Sequence, residues 1–166
     1  MAIKVGDRLP AGTLYELTDD GLQRRTVGEL TRGRRVAIIG LPGAFTPTCS
    51  TRHVPSFMER QPELKARGID EILCISVNDP YVMREWSKNM HAAGKIRMLG
   101  DGNTEVTKAL GLESDRSDQG MGIRSRRYSL YADDGVVKTL NVEELGKYEV
   151  SDAGTLLAQL ERIQQR

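Results

Sequence analysis

The chain has 166 residues, 39% hydrophobic and 28% charged, with a formal net charge of +1. Those values predict one soluble globular domain over 1–166, with no repeat, linker or low-complexity stretch to divide it. A near-neutral balance asks for no nucleic acid, no acidic substrate and no anionic membrane, and Arg32, Arg34 and Arg35 read as a solvated turn before a strand.

The longest apolar run, Val36 to Leu41, is far short of the ~20 residues of a membrane span. The N-terminus turns polar at once and carries no secretory apolar stretch. Two cysteines do not make a disulfide scaffold, so the expected compartment is reducing and cytoplasmic.

Thr13 to Leu17 and Arg24 to Thr26 flank Asp19-Asp20-Gly21, which signals a hairpin. Val36 to Gly40 is a short apolar run between turn residues and reads as a buried central strand, as does Ile72 to Val77. A helical segment of about twenty residues between them makes a βαβ unit with parallel strands. Asp79 and Pro80 open a helix that runs to about Ala92 and buries Val82, Met83, Trp86 and Met90.

Ile96 to Leu99 is a short strand, and Thr104 to Leu110 a short helix stopped by Gly111. Tyr128 to Ala132 and Val136 to Val142 flank a second Asp-Asp-Gly turn. Ser151 or Asp152 caps a last amphipathic helix through Leu156, Leu157, Leu160 and Ile163. The order predicts an α/β fold: a mixed central sheet with helices on both faces and an N-terminal hairpin.

The chemistry lies in Leu41-Pro-Gly-Ala-Phe-Thr-Pro-Thr-Cys49-Ser, between the first central strand and the following helix. Thr46 suits an N-cap and Pro47 the first helical position, which puts Cys49 third in the helix. Free amides and the positive end of the helix dipole favour the thiolate there, and the thiolate is the reactive form. The same amides can hold the oxygens of a peroxide. The competing reading is a buried structural cysteine, but the C-terminal end of a central strand is where α/β folds place ligands.

Other cysteine chemistries fit less well. A dithiol needs a second cysteine three residues away, where Thr46 and Arg52 stand, and a phosphatase-type loop needs an arginine where Pro55 stands. His53, four residues after Cys49, leaves a Cys–His dyad open. A neighbour on the same helix is poorly placed to deprotonate a thiol aimed at the helix mouth, so a structural or entrance role is expected. His91 reads as a cation at a helix C-terminus. With two histidines and no Cys/His cluster, no metal is expected.

Pro42-Gly-Ala-Phe-Thr46-Pro-Thr-Cys49 resembles the peroxiredoxin motif Pro-x-x-x-Thr-x-x-Cys. With Ser-Val-Asn-Asp at 76–79 and Arg-Arg-Tyr at 126–128, the chain is similar to the type II (peroxiredoxin-five) subfamily over nearly its whole length. The resemblance implies a thioredoxin-like fold and a thiol-dependent peroxidase acting on hydrogen peroxide and small alkyl hydroperoxides. It implies Cys49 as the nucleophile that becomes a sulfenic acid, Thr46 as a hydroxyl on the peroxide, and Pro42 as a shield against water. It makes Arg127 the cation beside the sulfur. Arg124 and Arg126 compete for that role on sequence alone, but strand alternation puts both on the face opposite Arg127, and the family's arginine directly precedes the aromatic, here Tyr128.

Cys74, mid-strand among apolar residues, reads as a small buried hydrophobe. The segment before the last helix, Gly146-Lys-Tyr-Glu-Val-Ser151-Asp, lacks the resolving cysteine that some relatives carry there. The resemblance therefore implies a one-Cys cycle recycled by glutathione and glutaredoxin (or thioredoxin), no cofactor, and a homodimer with Phe45 as a candidate contact. The alternative from another class is a redox-responsive interaction protein switched by Cys49 oxidation.

Overall fold

The computed structural model describes residues 2–165. Strands β1 (Thr13–Thr18) and β2 (Gly21–Thr26) form the first hairpin. Helix α1 (Val27–Thr31) follows at once, where the sequence reading has no element. It starts on a capping box: the Thr26 hydroxyl accepts the Glu29 amide and the Glu29 carboxylate accepts the Thr26 amide.

The central strand β3 (Arg35–Leu41) leads into a helix that begins at Pro47, passes through a π-helical turn at Cys49–His53 and continues as α2 (Val54–Ala66). Next come β4 (Glu71–Ser76), α3 (Pro80–Met90), β5 (Arg97–Gly100) and α4 (Glu105–Leu110). A small separate hairpin of β6 (Glu113–Asp115) and β7 (Ile123–Ser125) was also outside the sequence expectation, its strands being too short to show a period. The second main hairpin, β8 (Tyr128–Asp133) and β9 (Val136–Val142), and α5 (Ala153–Gln164) close the chain.

The main sheet has the order β2-β1-β5-β4-β3-β8-β9, with β3, β4 and β5 parallel and the hairpins antiparallel at either side. Side chains of β3 alternate between two cores. Ala37, Ile39 and Leu41 pack with Phe57, Trp86 and Leu156, from α2, α3 and α5. Val36 and Ile38 pack with Leu30, Val106 and Tyr128, beneath α1 and α4. The period of two thus puts helices on both faces.

Gly40 is required where it stands, because a Cβ there would lie 2.0 Å from the Tyr128 ring opposite it on β8. In the expected α3, Asp79 caps by accepting the Val82 amide, and the helix ends at His91 in the left-handed region (φ 55°) rather than at Ala92. Met83 and Trp86 are buried, whereas Val82 and Met90 are half-buried. Asp152, not Ser151, caps α5.

Candidate active site

The C-terminal end of β3 delivers Pro42 and the loop that carries Cys49 into the first turn of its helix. The Ser50 amide bonds the Thr46 carbonyl at 3.0 Å, which by helix geometry leaves the Thr48 and Cys49 amides without helical acceptors. Thr46 differs in one respect from the sequence reading. Its hydroxyl does not cap the helix but donates to the Gly43 carbonyl at 2.7 Å, which leaves the oxygen's lone pairs for another donor.

Cys49 is fully buried and its Sγ accepts from Arg127 Nη2 at 3.2 Å. Arg127 Nη1 lies 3.0 Å from His53 Nδ1, and His53 Nε2 lies 3.0 Å from the Ser151 carbonyl. A carbonyl can only accept, so Nε2 carries the ring proton and the bare Nδ1 accepts from Arg127. Burial, helped by the Arg127 charge, lowers the pKa of His53 to about 3. A neutral imidazole therefore aims the guanidinium that meets the sulfur. The π turn brings Cys49 and His53 onto the same guanidinium, one role for such an irregularity. His53 is not the base of a Cys–His dyad but the residue that orients Arg127.

The rival arginines hold the surroundings in place. Arg124 donates from Nε to the Met121 carbonyl and from Nη1 to Pro42, tying β7 to the loop. Arg126 Nη2 donates to the Glu143 carbonyl. The alternation used to separate these arginines does not apply, because Arg126 and Arg127 lie between β7 and β8 rather than in one strand. On the other side, Ser76 Oγ and the Ala44 amide both donate to Asn78 Oδ1, so the Ser-Val-Asn-Asp motif braces the Cys49 loop. Phe45 sits at φ 64°, half-exposed, its ring 6.4 Å from that of Trp86.

A segment after β9 forms the far wall. The buried Glu143 carboxylate takes the amides of Glu149, Val150 and Ser151 and the Ser151 hydroxyl. Burial alone would raise its pKa, but these donors outweigh it and hold the carboxyl below its usual range. Tyr148 covers the His53 ring at 5.3 Å and has the Arg52 guanidinium 4.7 Å from its centroid. Together these walls enclose a cavity of about 300 Å³ lined by Pro42, Thr46, Arg52, Arg116, Arg127 and Tyr148 among others. A cleft of about 360 Å³ between α2, α3 and the start of β4 is lined by side chains of both signs, with neither cysteine nor histidine among them.

Residues 4–157 match the family described as Redoxin. Peroxiredoxin-2E-2, chloroplastic, of Oryza sativa subsp. japonica is 50% identical over 163 residues, covering 95% of this chain and 72% of that one. Peroxiredoxin-2B of Arabidopsis thaliana is 47% identical over 159 residues, covering 95% and 98%. The crystal structure of reduced Prx3 in complex with hydrogen peroxide from Vibrio vulnificus matches with a TM-score of 0.92 at 47% identity, covering 95% and 99%. The chain belongs to the peroxiredoxins, within the redoxin family. Its fold is thioredoxin-like, as the resemblance implied.

The structure thus brings Pro42, Thr46 and Arg127 to one cavity, and Arg127 connects it to the sulfur of the buried Cys49. Cys74 stands apart in character. It is fully buried in β4, laddered between Ile39 and Met98, and burial, with the Cys49 charge behind it, pushes its thiol well up. Both cysteines are free. The site roles of Glu143, Ser151 and Tyr148 are not legible in the sequence: Ser151 and Tyr148 meet His53 across about 95 residues, and Glu143 closes an irregular loop that has no period.

Proposed function

We propose that this peroxiredoxin is a thiol-dependent peroxidase for hydrogen peroxide and small alkyl hydroperoxides, of the type II (peroxiredoxin-five) kind. The observation that carries the reading is the Arg127 Nη2 contact on Cys49 Sγ at the mouth of a helix. A cation beside the sulfur favours the thiolate. The thiolate attacks one peroxide oxygen, the O–O bond breaks, and the Cys49 sulfenic acid forms while the departing alkoxide or hydroxide takes a proton. Arg127 and the first-turn amides stabilise the charge that develops on the leaving oxygen. The Thr46 hydroxyl, already donating to Gly43, accepts the proton-bearing end of the peroxide and fixes its direction. Buried Pro42 keeps water from the sulfur.

In the second half-reaction an external thiol attacks the sulfenic sulfur and water leaves. A second thiol then releases the Cys49 thiolate and a disulfide. Glutathione with glutaredoxin, or thioredoxin, is our reading of that reductant. Support comes from the protonated, strand-locked Cys74 and from a 144–152 segment without cysteine. We read the protein as cytoplasmic, in keeping with two free thiols, and as a homodimer, in keeping with the half-exposed Phe45 beside the site. Steady-state turnover tests the cycle: Cys49→Ser should abolish it and Cys74→Ser should keep most of it. Loss of turnover in the Cys74 variant would overturn the one-Cys cycle.

A further inference from the structure

The cavity that Arg127 connects to the Cys49 sulfur has a charge pattern that hydrogen peroxide does not need. Its basic lining residues are Arg52, Arg116, Arg126, Arg127 and Lys147, and its acidic ones are Glu143 and Glu144. Both acids are already engaged. The Glu143 carboxylate is filled by three amides and a hydroxyl, and Glu144 pairs with Lys147 at 2.9 Å. Arg127 is committed to the sulfur and His53, and Arg126 to a carbonyl. Arg52 and Arg116 remain, and among the described residues neither has a carboxylate within 4.0 Å.

Arg116 adds a second observation. Its Nε is buried yet has no hydrogen-bond acceptor. A buried N–H without a partner is costly, and a guanidinium supplies a planar fork suited to a carboxylate. Arg52 is held from behind by the Tyr148 ring, which leaves its donor edge free.

We propose that Arg52 and Arg116 form a carboxylate subsite at the mouth, which selects reactants carrying an acidic group while their reactive end reaches Cys49. The inference rests on the peroxidase reading and narrows its reactant class. The carboxylate belongs either to the hydroperoxide or to the thiol that reduces the sulfenic acid, and both arrive through the same cavity. Each source gives a balanced step of the cycle above, with the carboxylate itself unchanged.

The experiment is a set of matched rate constants followed by Trp86 fluorescence; the indole N–H donates to Ser50, one residue from the reacting sulfur. In the peroxide arm, reduced protein meets a carboxylated alkyl hydroperoxide, its methyl ester, and hydrogen peroxide. In the thiol arm, the Cys49 sulfenic acid meets 3-mercaptopropionate and its methyl ester, compared per thiolate. The acid should outpace its ester by about tenfold at low salt in at least one arm, the gain of a charge-assisted contact. The preference should shrink as ionic strength rises. In the Arg52→Gln/Arg116→Gln variant the acid-to-ester ratio should fall towards one.

A preference in the peroxide arm alone assigns the subsite to the oxidising substrate, and one in the thiol arm alone assigns it to the reductant. Ratios near one in both arms, with normal oxidation by hydrogen peroxide, would overturn the inference and leave the peroxidase standing. So would a preference that survives in the double variant. No reaction with any peroxide would remove the peroxidase reading, and the subsite with it.

Discussion

Arg127 is shared between a sulfur and an imidazole, and the sharing sets its orientation. One nitrogen of its fork faces Cys49 and the other is held by His53, which the Ser151 carbonyl locks in one tautomer. Replacing Arg127 with Gln removes both the charge that favours the thiolate and a donor for the leaving oxygen. Sulfenic-acid formation should slow by about 10²–10³-fold, the usual effect of losing a preorganised donor. A loss under about tenfold in stopped-flow oxidation would remove Arg127 from the reaction.

His53 carries a separate, thermodynamic prediction. Its folded pKa of about 3 lies below the ordinary imidazole value of 6.5, so between those limits the unfolded chain binds a proton that the folded one does not. Stability is therefore full above pH 6.5 and is lost progressively as pH falls towards 3, by a few kcal/mol at most in order of magnitude, roughly 1 per pH unit. Denaturant midpoints at pH 7.5 and 5 should show that loss in the wild type, and a smaller one in His53→Gln. Equal pH dependence in both proteins would contradict it.

At the scale of elements, the site is a strand end, a helix start and two braces. The strand and the helix were legible because β3 is one apolar run and Thr46-Pro47 is a helix start that needs no context. The motif residues Pro42, Thr46 and Cys49 followed from that junction. Arg127 is legible only through its place before Tyr128 in the motif; strand alternation does not single it out, since residues 126–127 link two strands.

The braces were not legible. Asn78 reaches Ala44 from 34 residues away, and Glu143 gathers the amides of an irregular loop just after it, so no helical or strand period encodes either contact. Helix α1 was the avoidable omission, because Thr26-x-x-Glu29 is a readable capping box. The β3–β8 pairing makes a sharper demand at Gly40, where the Tyr128 ring occupies the space of a Cβ. Gly40→Ala should cost at least about 1–3 kcal/mol of stability by overpacking, read as a lower denaturant midpoint. A change within about 0.5 kcal/mol would mean that Tyr128 moves aside freely.

Across the whole molecule, two buried cysteines share one core on the same side of the sheet yet differ in their surroundings. Cys49 stands at a helix mouth with a guanidinium on its sulfur, and Cys74 is laced into the middle of the parallel ladder with its thiol protonated. Cys74 is held on both sides by parallel-strand pairing, whereas Arg127 links the Cys49 sulfur to a cavity of about 300 Å³ that opens to solvent. The mouth of that cavity has a basic lining that the acids present do not balance.

The most direct measurement is intact-protein mass after one equivalent of hydrogen peroxide, with and without glutathione, followed by peptide mapping. Rapid oxidation confined to Cys49, converted to a Cys49–glutathione adduct when the thiol is present, is the expected result. A Cys49–Cys74 disulfide would contradict the external cycle, and a Cys49 left unmodified after minutes would contradict the peroxidase itself.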